Sequence, residues 1–328
     1  MEYTSLGRTG LSVSRLCLGT MNFGPLTTET DAHSIMDTAL EQGVNFFDTA
    51  NVYGWGENKG HTEEIVGTWF ARGGGRRERT VLATKLYGLM PGPGGEDWPN
   101  NGKLSALNIR RACDASLKRL QTDYIDVYQM HHVDRATPWE EIWQAMEVLV
   151  AQGKILYVGS SNFAGWHIAT AQGAAQRRGF LGLVAEQSLY NLLARTVELE
   201  VLPSAQHHGL GVIPWSPLQG GLLGGVLRKA GQQGGRSAKR AEDLSATQRE
   251  QLQAYEDFCD KLGEEPGTVA LAWLLHQPAV TAPIVGPRTP GQLDTALKAL
   301  DVKLDADALT RLDEIFPGHQ TAPEDYAW

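Results

Sequence analysis

Eight short apolar runs, most of them followed by a helix-like stretch, constrain this chain more than any other feature. They end near Gly19, Asp48, Lys85, Met130, Ser160, Gln187, Trp215 and Gly286. Pieces such as Val81-Leu82-Ala83 and Gly211-Val212-Ile213-Pro214-Trp215 alternate little, as strands covered on both faces do. Residues 105–120 place Ile109, Ala112, Cys113, Leu117 and Leu120 on one helical face, with Ser105 as the expected N-cap. Residues 138–152 open on Thr137-Pro138-Trp139-Glu140, a capping box with Pro at the first helical position. They carry a stripe of Ile142, Trp143, Met146, Leu149 and Val150, and close at Gly153. Eight such pairs predict a (β/α)8 TIM barrel of about 250 residues plus additions, as a single domain over 1–328.

The additions have places. Residues 2–15, around Arg8-Thr9-Gly10, read as a β-hairpin before the first barrel strand. Stretches 86–103 and 219–245 read as long loops at the C-terminal face, and the tail from Pro317 to Trp328 as irregular. A doubly wound sheet is the main alternative. A dinucleotide-binding version usually carries a Gly-rich fingerprint after its first strand, and here that position reads Gly19-Thr20-Met21-Asn22-Phe23-Gly24.

Four polar residues stand at or just past the ends of predicted strands: Asp48, Tyr53, Lys85 and His131. Side chains at the carboxyl ends of parallel barrel strands converge on one mouth. Together they suit proton transfer to a carbonyl oxygen. Tyr53 is the candidate acid, with an ordinary pKa near 10. An ammonium about 4 Å away, at an effective dielectric near 20, interacts by roughly 4 kcal/mol. That would lower the tyrosine pKa by up to about three units before desolvation takes some back. Lys85 supplies the charge in this reading, Asp48 holds Lys85, and His131 donates to the substrate carbonyl. His132 is expected to point away from His131, as adjacent strand residues do. No HxH stands at the first strand and no spaced His/Asp ligand set occurs, so no metal is expected.

Formal net charge is −9, which argues against nucleic acid or an anionic membrane as a main partner. Cys17, Cys113 and Cys259 are odd in number and form no CxxC, in keeping with a reduced, cytoplasmic protein. The amino terminus lacks the apolar stretch of a signal peptide, and no apolar run reaches the length of a membrane span.

The stretch Asp48-Thr49-Ala50-Asn51-Val52-Tyr53-Gly54 resembles the signature of the aldo-keto reductase superfamily. Later pieces match in order: Thr84-Lys85, Asp126 to His131, Val158 to Phe163, Glu186 to Asn191, Trp215-Ser216-Pro217-Leu218 and Pro283 to Pro290. The phrasing is closest to the bacterial aryl-alcohol-dehydrogenase-like and potassium-channel β-subunit-like branches. The resemblance implies a reduced nicotinamide dinucleotide lying across the barrel mouth, hydride transfer to an aldehyde or ketone, and Tyr53 as proton donor. It implies that Gly19, Thr20, Met21 and Asp48 border the cofactor. By the same resemblance Ser161, Asn162 and Gln187 hold its carboxamide and Trp215 stacks on its ring. Ser216, Pro217, Leu218, Gly220 and Leu222 wrap the pyrophosphate, and Gly286, Arg288 and Gln292 face the adenosine end. Arg288 suits a 2′-phosphate, favouring NADPH over NADH. Thr295-Ala296 departs from the Glu-Asn pair the family often carries at the adenine. Trp55, Trp98 and Tyr87 suggest an aromatic rim for a small, flat carbonyl substrate, and a homo-oligomer is compatible with the sequence. The lower-ranked alternative is a cofactor-sensing regulatory subunit in the manner of channel β-subunits.

Overall fold

The computed structural model describes residues 1–92, 97–233, 239 and 241–327. An antiparallel hairpin, β1 (Tyr3–Ser5) and β2 (Ser12–Ser14), precedes the barrel. Eight parallel strands follow: β3 (Cys17–Gly19), β4 (Phe46–Asp48), β5 (Val81–Leu86), β6 (Ile125–Met130), β7 (Ile155–Ser161), β8 (Leu183–Gln187), β9 (Gly211–Val212) and β10 (Ile284–Val285). Their order is β10-β3-β4-β5-β6-β7-β8-β9. The curled sheet is closed by the Ile284 amide, which donates to the Pro214 carbonyl at 2.8 Å. This is the expected (β/α)8 architecture. Among the described residues no helix is long and apolar enough to cross a membrane.

Outside the sheet run α1 (Glu29–Glu41), α2 (His61–Ala71), α3 (Ala106–Leu120), α4 (Trp139–Ala151), α5 (Gly165–Arg177) and α6 (Val201–His208). Ser105 caps α3 as expected, accepting from the Asn108 amide. The expected capping box of α4 is not formed. Pro138 is itself the N-cap, and the Thr137 hydroxyl donates instead to Asp134 at 2.8 Å. The stretch 219–245 is not one loop. It holds a 3-10 turn over Gln219–Gly224 and α7 (Val226–Gln233), and residues 234–238 and 240 lie outside the described set. In the stretch 86–103, residues 93–96 do so too. The tail also departs from expectation, with a short helix at Ala322–Tyr326 that starts at Thr321-Ala322-Pro323. Trp328 lies outside the described residues.

The predicted strand ending at Trp215 is cut to two residues. Pro214 has no N–H to give the ladder. Pairing with β8 nonetheless runs on through the Ile213 amide to Glu186 O at 2.9 Å and the Trp215 amide to Ser188 O at 3.0 Å.

Strand alternation sorts side chains between two cores. Phe47, Leu82, Tyr128 and Met130 face outward into the layer shared with the helices, where Phe47 stacks on Trp69 of α2 at 5.5 Å. Phe46, Val81, Ala83, Val127 and Ala185 point into the barrel and fill it. Leu6 and Val13 of the hairpin join this inner cluster, so residues 2–15 plug the bottom. Gly7 makes the plug fit. Its φ is +55°, and a Cβ there would lie 2.5 Å from the Gly209 carbonyl oxygen.

Candidate active site

The same alternation carries polar groups to the mouth. Asp48 is two residues beyond Phe46, Lys85 two beyond Ala83, Gln129 two beyond Val127, and Gln187 two beyond Ala185. All four side chains therefore enter the top of the barrel and meet there. Asp48 and Lys85 are buried, with Lys85 fully inaccessible to solvent.

Lys85 Nζ donates to Asp48 Oδ2 at 2.5 Å, to the Thr49 carbonyl at 2.9 Å and to Tyr53 Oη at 3.2 Å. Its three donor positions are thereby used. An ammonium cannot accept, so in the Lys85–Tyr53 bond the phenol oxygen accepts and its own O–H remains free to donate elsewhere. Asp48 Oδ1 accepts from Gln129 Nε2 at 3.0 Å and Gln187 Nε2 at 2.9 Å. Burial would push the Lys85 pKa down, but Asp48 and Tyr53 outweigh it and hold the pKa above its ordinary value. Lys85 is a cation here.

The sign at Tyr53 differs from the sequence expectation. Its pKa is raised: burial disfavours the phenolate, Lys85 offsets part of that, and Asp48 works against Lys85. The sequence reading counted desolvation only as a partial offset to Lys85, whereas here burial is the largest effect and Asp48 cancels part of the lysine's pull.

His131 is half-buried, with its ring centroid 6.1 Å from that of Tyr53 and nearly perpendicular to it. Burial, Lys85 and His132 push its pKa down to about 3, so its imidazole is neutral at pH 7. The two histidines do not point apart. Both follow the end of β6, beyond strict strand geometry, and their rings stack at 5.0 Å and 4°.

The lowered pKa gives a signed prediction. A histidine kept neutral by the fold takes up a proton more readily when unfolded, so stability falls as pH drops below the unfolded pKa near 6.5 and continues to fall toward 3. Between pH 7 and 4.5 the expected loss through His131 is about 1–2 kcal/mol, discounted for its partial exposure. Urea unfolding at both pH values should show that loss reduced by this amount in His131→Asn. An equal loss in both proteins would contradict it.

The residues expected to border a cofactor fall into three groups. Asn162 sits at φ +61°, in the left-handed region that Asn tolerates. Its side chain accepts from the Trp215 indole N–H at 3.1 Å and donates to Ser161 Oγ at 3.0 Å and to the His131 carbonyl at 3.2 Å. One amide thus ties Trp215, Ser161 and the His131 backbone together. Gln187 Nε2 donates to Asp48 Oδ1 at 2.9 Å and to Gln129 Oε1 at 3.4 Å, and among the described residues nothing donates to its Oε1. Thr20 is buried in the wall, with amide and hydroxyl both on the Asp48 carbonyl, while Met21 is exposed. Gly19 is packed so closely that a Cβ would meet Ile284 at 2.5 Å.

Ser216, Pro217, Leu218, Gly220 and Leu222 form a tight turn, with Ser216 at φ +54° and Gly220 at φ +63°. Asn191 Nδ2 holds that turn through the Ser216 carbonyl and Gln219 Oε1, both at 2.9 Å. The third group follows β10. The Asn22 amide donates to the Gly286 carbonyl at 2.8 Å, joining the first and last loops of the mouth. Arg288 is exposed, and its guanidinium makes no ion pair among the described residues. Gln292 Oε1 accepts from the Arg288 amide at 2.8 Å.

Two buried polar groups were missed from sequence. Gln129, at the mouth, is signalled only by sharing strand parity with the inward residues. Glu186 lies on the opposite face of β8 from Gln187, fully buried, with Ser160, Ser188 and the Phe163 amide on its oxygens. Burial raises its pKa to about 7, against the lowering by these donors.

Comparison with known proteins agrees with this geometry. The model of the aldo/keto reductase family matches residues 15–316. The chain belongs to the aldo/keto reductase family. It is 58% identical, over the full length of both chains, to YrpG of Bacillus subtilis, named as an uncharacterized oxidoreductase. It is 35% identical to a versiconal hemiacetal acetate reductase of Aspergillus parasiticus, over 96% of each chain. It is also 34% identical to a probable voltage-gated potassium channel subunit beta of Arabidopsis thaliana, over 99% of this chain and all of the other.

Proposed function

We propose that this protein is an NADPH-dependent reductase of aldehydes or ketones in which Tyr53 is the general acid. The observation that carries the reading is the direction of the Lys85–Tyr53 hydrogen bond, which leaves the phenol proton as the group offered at the mouth. The donor set suits a nicotinamide dinucleotide. Trp215 is held by Asn162 with its ring half-exposed, Gln187 Oε1 is free to accept a carboxamide N–H, and Arg288 offers an unpaired fork to a phosphate. Such a cofactor, when bound, supplies the hydride.

The chain supplies the rest. A neutral His131 donates an N–H to the carbonyl oxygen and fixes its direction without adding charge. Burial keeps Tyr53 protonated until negative charge develops on that oxygen, and the proton then passes from Tyr53 Oη to it. The Lys85 ammonium steadies the phenolate left behind, and Asp48 holds Lys85 charged through the cycle. Trp55, exposed and 5.7 Å from Tyr53, with Tyr87 beside His132, would favour a flat substrate. The expected cellular setting is the cytoplasm.

Titration with NADPH and with NADH, following tryptophan fluorescence, tests the cofactor. NADPH should quench at much lower concentration, and Arg288→Ala should close most of that gap by weakening NADPH alone. Equal affinities in the unaltered protein would overturn the preference while leaving carbonyl reduction in place. Binding of neither would overturn both.

A further inference from the structure

A second cavity, of about 1030 Å³, lies on the flank of the barrel. Its long wall is α3. Asn108, Arg111, Ala112, Ala115, Lys118 and Arg119 fall at helical spacing on one stripe, about 16 Å from end to end. Small Ala112 and Ala115 form the floor. Lys59 stands on the opposite rim, and Met90 and the exposed Trp98 bring apolar surface from the loop after β5.

Four cations and one carboxylate, Glu64, line this space, on a chain whose net charge is −9. Arg119 is committed to Glu63 at 2.7 Å, and Lys59 donates to the Leu89 carbonyl at 2.7 Å. Arg111 and Lys118 have no ion-pair partner among the described residues. Both side chains are long enough to reach one anionic group from positions two turns apart. A second observation points the same way. Asn51, 1% exposed, lines the cavity, and its Oδ1 is buried with no donor. A buried acceptor without a partner is costly, and a small shift that opened Oδ1 to the cavity would let a ligand donor satisfy it.

We propose that this groove is a binding site, separate from the barrel mouth, for a small organic anion. The ligand would carry a phosphate or carboxylate for Arg111 and Lys118, a flat apolar body for Met90, Trp98 and the alanine floor, and an N–H or O–H for Asn51. The volume lies at the upper end of small-molecule cavities. Asn51 also donates its amide to the Lys85 carbonyl at 3.1 Å, and Tyr53 is two residues on, so occupancy touches the loop that carries the acid.

The test is calorimetric titration with 1-naphthyl phosphate, with and without excess NADPH, and with neutral 1-naphthol as control. One-site binding that persists under NADPH, and is at least tenfold weaker for 1-naphthol, is expected. The charge reversal Arg111→Glu/Lys118→Glu should weaken it at least tenfold, and Ala115→Trp should do so by filling the floor. Both variants should keep the far-ultraviolet circular dichroism and the NADPH affinity of the parent. No binding at 1 mM, displacement by NADPH, or unchanged affinity in both folded variants would each overturn the proposal.

Discussion

Tyr53→Phe is expected to cut turnover of any carbonyl substrate by about 10²–10⁴-fold, the usual contribution of a positioned general acid. It should leave affinity for NADPH unchanged. The substitution deletes one oxygen and keeps the ring, which contacts Trp55 and His131 at centroid distances of 5.7 and 6.1 Å. Lys85 loses one acceptor but keeps Asp48 and the Thr49 carbonyl. Turnover within threefold of the parent would remove Tyr53 from the acid role. A collapse of NADPH binding would show that the hydroxyl shapes the cofactor site instead.

Lys85→Met should damage both activity and stability. The Asp48–Lys85 pair is buried, and removing one partner of such a pair typically costs about 3–5 kcal/mol, because the other charge is left uncompensated. The two glutamine amides on Asp48 Oδ1 remain, but they are neutral and do not replace an ammonium on Oδ2. Asp48→Asn/Lys85→Met should recover much of the lost stability in urea unfolding, since no charge is then buried. It should recover no turnover, because the phenolate again lacks its cation. Equal stability of the single and double variants would mean that the buried charge is not the source of the loss. Turnover in the double variant would remove Lys85 from the mechanism.

Much of this site was legible in the sequence. Asp48, Lys85 and His131 close apolar runs, and those runs are barrel strands, so period-two alternation alone brings Asp48 and Lys85 together. Other features depend on partners distant in sequence. Gln129 sits in Asp126-Val127-Tyr128-Gln129-Met130, where a polar residue could face either core, and only the register with Lys85 decides. The Thr137 cap was lost to Asp134, and a competing side chain leaves no local mark. His131 and His132 escaped the alternation rule because β6 stops one residue before them. The sign at Tyr53 needed the burial of the whole wall, which no pair of residues specifies.

The bottom plug has a consequence for how the chain is made. Leu6 and Val13 find their apolar partners in the inner cluster, which the last strand completes with Ile284. Arg15 donates to the Val280 carbonyl across 265 positions, and the Cys17 amide donates to the Pro283 carbonyl. Residues 6–17 are thus made some 265 positions before the neighbours that complete their packing. Until synthesis passes Val285, β3 has one open edge and the hairpin has nothing to seal. Such long-range closure is intrinsically slow and exposes sticky strand edges meanwhile. A truncation at either end should therefore harm yield in the cell more than its count of lost contacts would suggest.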